Sequence, residues 1–372
     1  MPTVAFIRGT GIYDDSRATK EIVALANAGY RVEVLGWDRG GHAMQQCKAA
    51  FANVAESVNF SFFNVRAENG IGIRNVDKLF GWLRWIHKTL RKMENLSIVH
   101  ACDLDAGIAA YQYCKKYRTK LVYDIFDYYI DAHSVPSLMR SMVEGIEINI
   151  INNADATIIC TEERKEQICK ATPKKLVVVH NSPEMESMPD VAEDIDYFYC
   201  GALAGKRLIF EKLDAYHSNS DLKVVYAGYG PHSKLAEELA EQHENFAFLG
   251  TLPYSRVLQT AARSRVLSAI YEPTTRNHRL CAPNKFYEAL ALGKPVIVCR
   301  GTGIDKIVEQ NNIGAVIDYD ASQFYDAVRT LTEDEQLRKE MGIRARTLYE
   351  EKYNWSIMKG ILLRAYEDLQ TV

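Results

Sequence analysis

Residues 251–300 hold eight lysines and arginines against two acids, Glu272 and Glu288, a local excess of +6 in a chain of net charge −3. Such an excess favours an anionic ligand. Within it, the run Ala282-Pro283-Asn284-Lys285-Phe286-Tyr287-Glu288-Ala289-Leu290-Ala291-Leu292-Gly293-Lys294-Pro295-Val296-Ile297-Val298 reads as loop, helix, tight turn and buried strand. Pro283 suits the first turn of a helix, where free N–H groups and a partial positive charge favour phosphate. Lys285 would add a full charge, and Glu288, one turn on, could accept both hydroxyls of a ribose. The same spacing also fits an ordinary amphipathic crossover helix with a solvated lysine and glutamate. The run alone does not separate the two.

The elements that must position these residues follow from patterning. A length of 372 residues suggests two domains at about 100–200 residues each. An apolar fraction of 47% with 25% charged residues is that of a globular protein and excludes disordered, collagenous or coiled-coil chains. The near-neutral total excludes nucleic-acid binding by bulk charge. Thr3–Ile7, a Gly-Thr-Gly turn, a helical pattern over Ser16–Ala28 and Gly29 open a βαβ unit. Short apolar runs recur at Arg31–Leu35, Val58–Phe63, Ser97–Ala101, Lys120–Tyr123, Ala156–Cys160 and Leu176–Val179, spaced by helix-length segments. This predicts an α/β domain with a parallel sheet. After an acidic, proline-containing stretch at 181–200 the alternation restarts at Tyr197–Cys200, Lys223–Ala227, Phe246–Leu249, Val266–Ile270, Pro295–Cys299 and Ala315–Ile317. The expected domains are 1–185 and 195–354, with a helix over 355–372 crossing back to the first. Two such sheets would leave a cleft at the carboxyl ends of their strands, so functional residues should lie just after strands. The eight cysteines show no zinc spacing and read as reduced buried residues, no metal or cofactor is called for, and neither a signal peptide nor a spanning segment is expected.

The chain resembles the family-4 retaining glycosyltransferases of the GT-B fold, two Rossmann-like domains facing a cleft. The resemblance rests on Pro283–Ile297, on Tyr226-Ala227-Gly228-Tyr229-Gly230-Pro231 and on Phe248-Leu249-Gly250-Thr251-Leu252. It extends to Gly29-Tyr30-Arg31-Val32-Glu33-Val34-Leu35, Val99-His100-Ala101-Cys102-Asp103 and Lys120-Leu121-Val122-Tyr123-Asp124 in the first half. It implies transfer of a sugar from a nucleotide diphosphate donor, with retention and without a required metal. Glu288 then corresponds to the ribose-binding carboxylate. A second family glutamate, eight positions earlier, is here Leu280, which leaves Asn284, Arg279 and the backbone around Ala282 as candidates for the sugar. Lys206 and Arg207 match a basic pair that clamps the diphosphate, and with Lys285 they would offset charge growing on the leaving group. Gly228 and Gly230 are expected beside the donor, and Leu252 and Tyr254 along the base.

In the first domain, Gly9 and Gly11 would allow backbone to approach donor phosphates or sugar, and Arg17 is expected to point into the cleft, with Asp15 or Ser16 capping its helix. Asp127 would orient the acceptor hydroxyl or take its proton; relatives carry His-Glu or His-Asp there, and Phe126 replaces the histidine. The segment Lys78–Met93 has five Lys/Arg, no acid and two tryptophans, with a stripe of Leu79, Trp82, Leu83, Ile86, Leu90 and Met93. That stripe suits the core; the basic, aromatic character also suits an anionic membrane. The expected protein is cytoplasmic or peripheral on the inner face of the cell membrane. It takes a UDP-sugar and a glycan or lipid-linked acceptor in bacterial surface polysaccharide synthesis, and it binds no nucleic acid. A UDP-sugar 2-epimerase and a non-catalytic binding relative use the same fold and are the alternatives.

Overall fold

The computed structural model describes residues 1–13, 15–67 and 76–370. The chain divides into two compact units, one of Met1–His180 with Met358–Val372, the other of Asn181–Ile357.

The first unit contains seven described strands: β1 Thr3–Arg8, β2 Arg31–Asp38, β3 Val58–Asn64, β4 Leu96–Cys102, β5 Lys120–Ile125, β6 Ala156–Ile159 and β7 Leu176–Val178. They form one parallel sheet in the order β3-β2-β1-β4-β5-β6-β7. Because strand order reverses between β1 and β4, the loops after these two strands diverge and leave a crevice. Val4, Ala5, Phe6 and Ile7 of β1 are fully buried, which is why this strand reads as continuously apolar. The helix Ser16–Asn27 starts where the Asp15 carboxylate accepts the Ala18 N–H at 3.2 Å. It stops before Gly29, whose φ of +87° a side chain would resist.

Helix Val76–Leu90 buries Trp82, Ile86 and Leu90 completely, with Leu79, Leu83 and Met93 packed against the same core. Trp85 stacks on Trp82 with ring centroids 5.4 Å apart. The stripe is therefore occupied by the domain's own core and is not offered to a membrane; Arg84, Lys88, Arg91, Lys92 and the apolar Phe80 remain exposed. Among the described residues no helix is long and apolar enough to cross a membrane. The C-terminal helix Trp355–Gln370 buries Leu362, Ala365 and Tyr366, and the Tyr366 hydroxyl lies 2.6 Å from His100 Nδ1 on β4.

Glu147 is fully buried in helix Ser137–Asn153, accepting the Tyr123 hydroxyl at 2.9 Å and the Tyr129 N–H at 3.2 Å. Burial pushes its pKa from the usual 4.5 to about 8. The folded chain thus keeps a proton that the unfolded chain has released, so stability falls as pH rises from about 4.5 to 8. Glu147→Gln is expected to flatten that decline, which urea titrations at pH 5 and pH 8 would measure.

The second unit holds β8 Ile195–Ala202, β9 Val224–Tyr229, β10 Phe246–Phe248, β11 Ser264–Ala269, β12 Val296–Cys299 and β13 Gly314–Ile317. The parallel order is β10-β9-β8-β11-β12-β13, with the reversal between β8 and β11. Acidic residues of the 181–200 stretch are anchored to the second unit. Glu193 pairs with Lys294 at 2.5 Å and Arg338 at 3.3 Å, and the Asp194 carboxylate accepts from Arg263 at 2.8 Å.

Candidate functional site

In the second unit the loop after β8 and the loop after β11 meet at the point of strand reversal. The Glu272 N–H donates to the Lys206 carbonyl at 2.9 Å, and the Arg207 guanidinium lies 5.4 Å from the centre of the Tyr271 ring. Lys206 and Leu208, on either side of Arg207, have φ of +64° and +57°. These left-handed values are costly for residues with side chains, and they are held by specific partners: the Leu208 N–H donates to the Tyr319 hydroxyl at 2.7 Å. Lys206 is exposed and Arg207 half-buried.

Lys285 and Glu288 stand on helix Asn284–Ala291, which begins after Pro283, and Asn181 Nδ2 fastens the preceding loop by donating to the Ala282 carbonyl at 2.7 Å. The Lys285 ammonium rests against the backbone of Gly201, where an added Cβ would come within 2.8 Å of Nζ, and lies 5.1 Å from the centre of the Tyr199 ring. Burial opposes its charge, but Tyr271, Tyr199 and Glu288 outweigh burial and raise its pKa; Arg207 is close enough to repel it. Lys285 and Arg207 are thus two cations held near each other, an arrangement that a diphosphate would relieve. Tyr254, which opens helix Tyr254–Ala262, is partly exposed, and burial of its hydroxyl together with the Glu288 carboxylate raises its pKa. Leu252 is half-buried, while Arg279 and Asn284 are exposed. Leu280 is buried.

Gly228 and Gly230 answer a packing need between neighbouring loops. Added Cβ atoms would fall 1.8 Å from the Gly201 carbonyl oxygen and 2.5 Å from that of Leu203. The two glycines therefore let the loop after β9 lie directly on the loop that carries Lys206 and Arg207.

In the first unit the crevice between β1 and β4 is charged. Arg8, at the end of β1, pairs with Asp15 at 3.0 Å and with Asp103. Asp103 opens helix Asp103–Tyr117 with a φ of +63° and accepts the N–H groups of Phe126 and Asp127 at 2.8 and 3.1 Å. Burial raises its pKa to about 6 against the pull of Arg8. Asp127, exposed after β5, is held by Arg164 at 3.3 Å. Gly9 is required because a Cβ there would meet Asp105 Oδ2 at 2.1 Å, and one on Gly11 would crowd the Tyr13 ring at 2.9 Å.

Arg17, expected to point into the cleft, has its guanidinium buried among carboxylates of the first unit. It is 5% exposed and pairs with Asp124 at 2.6 Å and Glu21 at 3.1 Å, and it donates to the Val179 carbonyl at 3.1 Å. The buried carboxylates and the ring of Phe126 draw it in, and that ring is clasped between Arg8 at 4.1 Å and Arg17 at 4.7 Å. Glu21, His100 and Asp124 converge within 4.8 Å of one another, as metal ligands would. Arg17 already supplies positive charge to both carboxylates. Burial raises Glu21 and lowers His100, whereas Arg17 and His100 overcome burial and lower Asp124.

Sequence patterning missed Tyr199, Tyr271 and Arg8. Each is one residue of an apolar or mixed strand end, and only the strand-reversal rule, applied to a known strand order, would have singled them out.

No curated protein matches the chain in sequence. Family models match along most of it: Glycosyltransferase Family 4 over residues 19–184 and Glycosyl transferases group 1 over residues 184–348. Among solved structures, the chain is similar to a sucrose-phosphate synthase from Thermosynechococcus elongatus, at 14% identity and TM-score 0.71 over 100% of both chains. It is similar to HepE from Anabaena, solved with UDP-glucose, at 15% identity and TM-score 0.68 over 100% of both chains. A Listeria monocytogenes protein assigned as a UDP-N-acetylglucosamine 2-epimerase is similar at 15% identity and TM-score 0.68, over 98% of this chain and 95% of that one. Two parallel α/β sheets, the residues at their points of reversal and the two family matches lead to one conclusion: the chain belongs to the family-4 glycosyltransferases of the GT-B fold.

Proposed function

We propose that this glycosyltransferase moves a sugar from a UDP-sugar to a glycan or lipid-linked acceptor, with retention and without a metal, in bacterial surface polysaccharide synthesis at the inner face of the cell membrane. The observation that carries the reading is the pair of cations Lys285 and Arg207 at the β8/β11 reversal, with Glu288 one helical turn beyond Lys285. Lys285, Arg207 and Lys206 bind the diphosphate, and Glu288 accepts the ribose hydroxyls. Leu252 and Tyr254 face the base, and Arg279 and Asn284 the sugar. Asp127 orients the acceptor hydroxyl.

In the reaction, the bond between the anomeric carbon and the β-phosphate oxygen breaks. The acceptor oxygen bonds to the same face of that carbon, and its proton passes to the leaving phosphate. Negative charge on the departing UDP grows along this path, and the two cations stabilise it where it grows. HepE, solved with UDP-glucose, supports the donor class.

Consumption of a UDP-sugar in the presence of EDTA, lost in Glu288→Ala and in Arg207→Ala, is the expected result. Full activity in both variants would overturn the roles given to these residues. Gly201→Ala, whose Cβ would collide with the Lys285 ammonium, is expected to weaken UDP binding about tenfold, about 1.4 kcal/mol by calorimetry. A UDP-sugar 2-epimerase is the second reading, favoured by the likeness to the Listeria protein. An NMR time course of the UDP-sugar without acceptor separates them, since only an epimerase converts the donor alone.

A further inference from the structure

Directly behind Tyr199 lies a lysine with no obvious reason to be there. Lys212, on helix Ile209–Ala215, is fully buried. Lys294, also buried, lies beside the carboxylate of Glu193. Lys212 instead donates to the Tyr197 hydroxyl at 3.0 Å, which in turn shares a hydrogen bond with Ser268 Oγ at 2.7 Å. Its ammonium is walled by rings: Phe324 at 4.7 Å, Tyr199 at 5.0 Å, Tyr197 at 5.3 Å and Tyr226 at 5.8 Å from their centres. The backbone is fixed as well, because the Tyr325 hydroxyl donates to the Lys212 carbonyl at 2.8 Å.

Tyr199 thus has two lysines near its ring, Lys212 at 5.0 Å and Lys285 at 5.1 Å. The titratable groups facing Lys212 are Tyr197 and Tyr199 on β8, Tyr226 on β9, Lys285 on its helix and Glu211 on Lys212's own helix. An ammonium has three protons to place and wants an anion. Among the described residues this one has a single hydroxyl partner and a repelling neighbour in Lys285. Burial, with Lys285 adding to it, pulls the Lys212 pKa down to about 7.

We infer that Lys212 is a second, buried cation for the donor diphosphate, an amine in the free protein and an ammonium in the complex, so that donor binding draws a proton from solvent onto Nζ. The inference rests on the diphosphate lying at Lys285 and Arg207. Each phosphate charge on the order of 10 Å away, at an effective dielectric of about 20, raises the Lys212 pKa by about one unit. At pH 8, where UDP itself is fully ionised, binding of UDP should take up between about 0.4 and 0.8 proton, and affinity should weaken about 3- to 5-fold from pH 7 to pH 8.

Calorimetric titration of the full chain with UDP, in two buffers of different ionisation enthalpy, counts that proton. Uptake in the wild type, absent in both Lys212→Met and Lys212→Arg, is the expected outcome. Lys212→Arg should bind with no change between pH 7 and 8, because its charge is permanent. If either variant fails to fold, the wild-type count still decides: UDP binding without uptake overturns the inference while leaving the donor reading intact. Uptake that persists in a folded variant overturns the assignment to Lys212. No UDP binding between pH 6 and 9 overturns the donor reading itself.

Discussion

Lys285→Met is expected to lower kcat/KM for consumption of the UDP-sugar by about 10²- to 10³-fold, the loss typical when one preorganised donor to a growing negative charge is removed. The size of the effect follows from where Nζ sits. It is pressed against the Gly201 backbone and the Tyr199 ring, so little of its position must be fixed as the bond breaks. Water has limited access to the cation, and its interaction with an anion is correspondingly stronger than at a surface. A methionine keeps the chain's length and packing without the charge, so the melting temperature should move by no more than a few degrees while the rate collapses. Equal losses in kcat and kcat/KM would identify an interaction made in the transition state; a rise in KM alone would mean uniform binding.

Arg17→Met is expected to destabilise the first unit by about 3–5 kcal/mol, the cost of leaving a buried anion without its partner. Asp124 and Glu21 are fully buried, and Arg17 is the cation bound to both. The Val179 carbonyl would lose its donor and Phe126 one of its two guanidinium faces. Asp124→Asn in the same chain should recover part of the loss, since the stranded charge is then gone. A double-mutant cycle on the unfolding transition of the first unit reads the coupling directly. A surface value near 0–1 kcal/mol would refute the buried network.

All thirteen described strands coincide with apolar runs visible in the sequence, and helix Asn284–Ala291 begins directly after Pro283, which caps it rather than sitting in its first turn. Those features are local: a run, a cap or a turn residue encodes each of them. Lys285 and Glu288 were legible for the same reason, as residues of one helical turn. Arg17 was not, because its partner Asp124 is 107 positions away and nothing near residue 17 announces it. Lys212 looks like any lysine of an amphipathic helix until the strands at 197–199, 226 and the helix at 324 are folded around it. The character of Lys78–Met93 was ambiguous by composition, and only the fold shows that its apolar stripe, with Trp85 stacked on Trp82, packs into the first unit's own core. Short-range pattern thus encodes elements and helix starts, whereas inward or outward use of a charged residue depends on contacts the pattern does not contain.

The C-terminal helix has a consequence for synthesis. Tyr366 closes over His100, and Lys175 pairs with Asp368, so the first unit is completed by residues that follow the entire second unit in the chain. At about 5–20 residues per second, translation of the 177 intervening residues takes about 10–35 s. Throughout that interval the nascent first unit lacks the ring of Tyr366, which in the finished molecule packs against Tyr30 and His100, with Phe6 stacked on the His100 ring. The packing of the first unit is thus completed only after the second unit has been made, although most of the first unit's sequence is made first.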